Sequence, residues 1–168
     1  MITTYESVED LLQSRQPRLA VYCIYPHVYV DTARRFVDRF PGRVLYAVKA
    51  NDDPSVVNAL HQGGINHFDC ASLPEIEMVT DQCPGAICYL MNPVRIDGHA
   101  ERAQQMHGVR HFMVDHLTGL APLLQEIDVQ RSVIFARMRA SHDSAHQDLS
   151  TKFGATPEEM PELLTAIR

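Results

Sequence analysis

The chain has 168 residues, 45% hydrophobic and 21% charged, a balance that supports one buried core and excludes a disordered polymer. Its 15 lysines and arginines are outnumbered by 21 acids, giving a formal charge of −6. Nucleic acids and anionic membranes require clustered positive charge, and these basic residues are scattered, so neither partner is expected and a small molecule is.

No run approaches the roughly 20 apolar residues that cross a bilayer. The polar opening MITTYESVEDLLQS lacks the basic-then-apolar order of a secretion signal, so a cytoplasmic location is expected. Cys23, Cys70, Cys83 and Cys88 contain no C-x-x-C pair and read as small buried thiols in a reducing compartment.

In chain order, apolar β-rich runs alternate with helical patterns at near-regular spacing, the signature of βα units and a parallel sheet. The first run is LAVYCI (19–24) and the second RVLYAVKA (43–50). Asp53-Pro54 then opens a helix over SVVNALHQ, a capping carboxylate followed by proline at the first helical position, and Gly63-Gly64 closes it. HFDCA (67–71) is the third run, and Ser72 with Glu75 has capping-box spacing ahead of IEMV. AICYLM (86–91), HFMVD (111–115) and SVIFARMR (132–139) follow, with Asp115 preceding the helical pattern HLTGLAPLLQ. Six strands are therefore predicted. The polar stretch ASHDSAHQDLSTKFG (140–154) breaks the rhythm, and Thr156-Pro157-Glu158-Glu159 opens a last helix. A loop that long in a compact domain is more often functional than idle.

Parallel α/β folds bind ligands at the carboxyl ends of their strands. The polar residues predicted there are Lys49, Asp69, Ser72, Asn92, Asp115, Arg137 and Arg139. Lys49 follows four residues that a parallel strand would bury. Desolvation of its ammonium would yield the neutral amine that attacks an aldehyde, although a lysine at a strand end can also simply extend to water. Asp69 could cap the next turn, Ser72 and Glu75 could be a capping box alone, and Arg137 could pair with Asp69 or Asp115. His142 and His146 have the spacing of a helical metal pair, with Asp143 and Asp148 nearby; the segment reads as loop, which favours a mobile active-site loop over a metal site.

LYAVKAN (45–51) resembles the Schiff-base motif of the fold-type III pyridoxal-phosphate (PLP) enzymes, the alanine racemase and amino-acid decarboxylase group. FDCASLPEIEMV (68–79), YLMNPVR (89–95) and RMRASHDSAHQDLSTKFGA (137–155) are similar, in order and spacing, to the eukaryotic-type ornithine decarboxylase branch. FDCAS and LS-x-KFGA discriminate best, because YAVKAN is shared by several branches.

The resemblance implies an alanine racemase-like (β/α)8 barrel holding pyridoxal 5'-phosphate, with Lys49 as the lysine that carries it. It places Asp69 and Glu75 at acidic positions near the cofactor, Arg137 beside its ring and Lys152 at a homodimer interface. The implied activity is decarboxylation of a basic amino acid, ornithine first, in polyamine biosynthesis. A racemase on the same barrel shares the Lys49 motif but is not expected to carry FDCAS or LS-x-KFGA; a non-catalytic regulatory homologue is the third reading, and retention of Lys49 speaks against it. A complete barrel has eight βα units in about 250 residues. The predicted architecture over 1–168 is thus a partial barrel of about six, a fragment expected to be inactive alone and to lack the family's C-terminal β domain.

Overall fold

The structure is a computed structural model and describes residues 3–140 and 152–168. Five short strands form one parallel sheet: β1 (Leu45–Ala47), β2 (His67–Cys70), β3 (Ile87–Leu90), β4 (His111–Val114) and β5 (Val133–Ala136). They lie side by side in sequence order. Each step between neighbours crosses over through a helix: α3 (Pro54–Gln62), α4 (Leu73–Gln82), α5 (His99–His107) and α6 (Leu117–Glu126). These helices contact one another in the same order, so they line one face. A singly wound sheet with helices on one side is a sector of a β/α barrel. In front stand α1 (Val8–Arg15) and α2 (Pro26–Arg39), and α7 (Met160–Ile167) closes the described chain.

The core lies between sheet and helices. Phe68, Cys70, Cys88, Leu90, Phe112 and Val114 point into it from β2, β3 and β4, and all are buried. They meet Val56, Val57, Ile76, Val79, Ala100, Ala103, Leu120 and Leu123 from the helices. The period-two alternation of a strand sends the intervening residues to the other face.

Local signals act as the sequence predicts at several helix starts. Asp53 caps α3 by accepting a hydrogen bond from the Ser55 amide at 2.9 Å, with Pro54 in the first turn. Hydrogen bonds from the Ser55 hydroxyl, and then from its amide, hold the Asp53 carboxyl below the usual carboxylate range. Ser72 caps α4. α6 starts later than predicted: His116, and not Asp115, is its cap, and its ring nitrogen accepts from the Thr118 amide. Gly63 allows α2 to cross the end of α3, because a Cβ there would sit 2.5 Å from the Ala33 Cβ and 2.6 Å from the Val30 carbonyl.

One predicted strand is absent. Residues 19–24 form no ladder, and Leu19 and Tyr22 are 85% and 95% exposed. A parallel strand is stabilised by cover on both faces; in this segment Ile24 alone packs against the core and there is no paired neighbour among the described residues, so its apolar composition alone does not make it β. Conversely, α5 carried no marked start signal, its cap being Gly98, and α2 has an uncapped Tyr25 with only Pro26 to mark its first turn.

Candidate active site

The carboxyl ends of the strands gather most of the predicted polar residues. Lys49 sits in a one-turn 3-10 helix (Val48–Ala50) directly after β1. Val48 is sealed in the core, which anchors the turn, while Asn51 closes it through a 3.1 Å amide bond to the Val48 carbonyl. The Tyr46 hydroxyl donates to the Asn51 carbonyl at 3.1 Å. Lys49 itself is exposed. The desolvation predicted for it is therefore not present: the sheet is a sector, and the turn carries Lys49 past the strand end onto its open rim.

Asp69 lies one strand away, on the face opposite the helices, and is half-buried. Burial pushes its carboxyl above the usual carboxylate range, and the charges of Lys49 and Arg137 pull it back. The fold thus brings Lys49, Asp69 and Arg137 into one electrostatic neighbourhood although they are distant in sequence. Arg137 follows β5, its amide donating to the Val114 carbonyl at 2.8 Å, and its guanidinium carbon lies 5.3 Å from the centroid of the Phe153 ring. Neither Asp69 nor Asp115 forms an ion pair with it among the described residues.

Glu75 is occupied locally. Its carboxylate accepts from the Ala71 amide at 2.7 Å, and its own amide donates to the Ser72 hydroxyl at 3.4 Å, a reciprocal capping box that fixes the turn after Asp69. Lys152 is exposed, with its ammonium 5.2 Å from the Phe153 centroid. Asp115 accepts from the Gly154 amide at 3.1 Å. Gly154 is required here: its φ is +105°, and a Cβ would come within 2.7 Å of the Arg139 amide. The following residue, Ala155, pairs in parallel with Met138. His142, Asp143, His146 and Asp148 lie outside the described residues.

Sequence reasoning passed over Arg95. Its guanidinium donates to the carbonyls of Asn92 (3.0 Å), Met113 (2.7 Å) and Gly119 (3.1 Å), while Asn92 donates from Nδ2 to the Ala71 carbonyl at 3.2 Å. One planar cation thereby ties the ends of β3 and β4 to α6, and Asn92 extends the tie to β2. An arginine after an Asn-Pro turn carries no sequence signal for this role. Only the convergence of three carbonyls reveals it.

The residues suit PLP chemically. The accessible Lys49 amine can meet its aldehyde, the Arg137 cation suits an anionic group, and the half-buried Asp69 offers an acceptor whose proton affinity is raised.

Comparison with known proteins gives the family. Residues 29–168 match the family model of the pyridoxal-dependent decarboxylases, pyridoxal binding domain. The lysine/ornithine decarboxylase of Selenomonas ruminantium is 33% identical over 124 residues, covering 73% of this chain and 30% of that protein. Antizyme inhibitor 2 of Xenopus laevis is 34% identical over 133 residues, covering 77% of this chain and 28% of its own. Among solved structures, the Paramecium bursaria Chlorella virus arginine decarboxylase bound to agmatine superposes with a TM-score of 0.82 at 24% identity, over 94% of this chain and 42% of that one. The chain belongs to the pyridoxal-dependent decarboxylase family, matching its pyridoxal binding domain over residues 29–168. It spans about a third of the length of these curated relatives.

No described helix is long and apolar enough to cross a membrane.

Proposed function

We propose that the chain is the cofactor-carrying part of a PLP-dependent decarboxylase acting on a basic amino acid, ornithine before lysine or arginine. The observation that carries this reading is the placement of Lys49, Asp69 and Arg137 at the carboxyl ends of β1, β2 and β5, where the charges of Lys49 and Arg137 both act on the Asp69 carboxyl. When bound, the cofactor supplies the electron sink that makes loss of CO2 from an amino acid feasible.

The residues divide the remaining work. Lys49, on an anchored turn with an accessible Nζ, is the covalent attachment point and afterwards a nearby amine able to carry a proton. Asp69, raised in proton affinity by burial, holds the cofactor by its carboxylate and tunes the charge balance between the two cations. Arg137 stacks on Phe153 and so presents a fixed guanidinium to an anionic group. Glu75 acts at one remove, by fixing the Ala71–Ser72 turn beside Asp69, and Arg95 likewise fixes the rim. A homodimer with Lys152 at its interface, a cytoplasmic location and a place in polyamine formation complete the proposal. They draw on the names of the relatives and on the family resemblance.

The test is to mix the purified chain with PLP, follow the long-wavelength absorbance, and trap the adduct with borohydride. Wild type is expected to give the absorbance and a stable label on Lys49, and Lys49→Ala neither, with unchanged folding because Lys49 is exposed. Absorbance that persists in Lys49→Ala overturns the attachment. The likeness to antizyme inhibitor 2 favours a second, non-catalytic reading. Assay of CO2 release by the full-length parent against ornithine, lysine and arginine separates the two: failure on all three, with intact label, supports the regulatory homologue.

A further inference from the structure

The opposite end of the sheet holds a second polar constellation that the reading above does not use. Arg43 stands just before β1, and its guanidinium donates to the Tyr89 hydroxyl at 3.2 Å. That hydroxyl lies 3.2 Å from Nδ1 of His67. His111 stacks on the Tyr89 ring with centroids 4.0 Å apart, and its Nδ1 is buried without a hydrogen-bond partner among the described residues. Beside this cluster opens a cleft of about 410 Å³ lined by Arg43, Asn66, His67, Gly42, Gly64 and Val37.

The Tyr89 oxygen accepts from Arg43 and shares a second hydrogen bond with His67 Nδ1, whose direction follows the imidazole tautomer. When His67 is neutral with its hydrogen on Nε2, Tyr89 donates to Nδ1 and the Nε2–H is a donor with no partner among the described residues. Arg43 uses one nitrogen on Tyr89 and keeps further N–H groups for a planar, two-oxygen contact. Neither of the two ion pairs among the described residues includes it. The charged and titratable groups felt by His67 and His111 are Arg43, Arg110 and His67 itself, all cationic or neutral. In a chain of net charge −6, a cleft flanked by a guanidinium and an imidazole is a local exception.

We propose that Arg43 and His67, with Tyr89 holding both in place, form a binding site for a small tetrahedral oxyanion, inorganic phosphate or the phosphate of a small ester, at the amino end of the sheet. Tyr89, buried behind the cleft, is a positioning residue. Protonation of His67 turns its Nδ1 into a donor, which Tyr89 can accept by rotating its hydroxyl, so the site gains charge without losing its frame. Affinity should therefore rise as pH falls through the imidazole range.

The experiment titrates the full 168-residue chain, without cofactor, with inorganic phosphate in a chloride buffer at about pH 5 and about pH 8, the lower value reaching below the ordinary histidine range because burial and Arg43 hold His67 down. Calorimetry reads affinity and the His67 ring resonances report the place of binding. Wild type is expected to bind saturably, several-fold tighter at the lower pH. Arg43→Gln should weaken binding roughly tenfold or more, Arg43→Lys less, and Tyr89→Phe should reduce the pH dependence with the fold intact by circular dichroism. Methyl phosphate competing as well as phosphate identifies an ester as an acceptable ligand, and phosphate alone competing identifies the free ion. Absence of saturable binding overturns the proposal. So does binding that survives Arg43→Gln but is lost in Arg137→Gln, since the ion would then occupy the cofactor end; Lys49→Ala should leave the phosphate site untouched, which keeps the two readings separable.

Discussion

On the helix-facing side of the sheet Phe68, Cys70, Cys88, Leu90, Phe112 and Val114 are sealed from solvent, whereas of the alternate residues His67, Asp69, Tyr89, His111, Met113 and Phe135 only Tyr89 is buried. The same four-residue strands therefore serve two purposes. One face is apolar and close-packed, and supplies the stability. The other is polar, aromatic and accessible, and carries charge whose cost the first face offsets. A single slip of register would exchange them.

The largest effect expected from this contrast is on Phe112. Phe112→Ala should destabilise the chain by about 3–5 kcal/mol in urea titration, since it removes a fully buried ring. Phe135→Ala, on the open face at 40% exposure, should cost clearly less. Equal costs would show that the two faces are not distinct. Next comes Arg95, which joins them at the rim: Arg95→Ala leaves three carbonyls without their donor and should cost about 1–3 kcal/mol, with loosened amide protection around Asn92 and Gly119 in hydrogen exchange.

A smaller effect concerns acid. Burial, then the nearby cation Arg43, lowers the proton affinity of both His67 and His111. Their folded values lie below the ordinary value of about 6.5, so the unfolded chain takes up protons first as pH falls. The stability contributed by the neutral rings is whole above that value and declines below it until the folded rings also protonate. Urea midpoints should fall between about pH 7 and about pH 5, and the double variant His67→Gln, His111→Gln should flatten that decline; an unchanged slope contradicts the assignment.

The smallest stability change is expected at Asp69. Its raised folded value means that folding favours the protonated carboxyl, so at neutral pH the ionised group is a cost. Asp69→Asn should leave the unfolding midpoint unchanged or slightly raised while weakening PLP binding. A marked loss of stability would make Asp69 a structural residue and remove it from the site.

Much of this was legible in the linear chain. Asp53-Pro54 and Ser72 with Glu75 mark helix starts because a cap is a local contact spanning two or three residues, and five of the six predicted strands formed because alternating or continuous apolar runs report burial directly. Lys49, Asp69 and Arg137 could be listed as strand-end residues for the same reason. LAVYCI failed because strand formation depends on a partner ladder and a covering layer, which composition does not contain. Lys49 was expected to be desolvated, and its exposure follows from the one-turn 3-10 helix that carries it past the strand end.

The sequence by itself determined the alternation of strand and helix, the family, and which residue types stand at the strand ends, since all three depend on neighbours a few positions apart. Only the tertiary structure decided that β1 and β5 bring Lys49 and Arg137 to bear on the same carboxylate, that Arg95 gathers three carbonyls, and that Arg43, His67, Tyr89 and His111 meet at the far end. Those are contacts between residues tens of positions apart, and their energies depend on burial and on geometry that exists only after the sheet has closed them together.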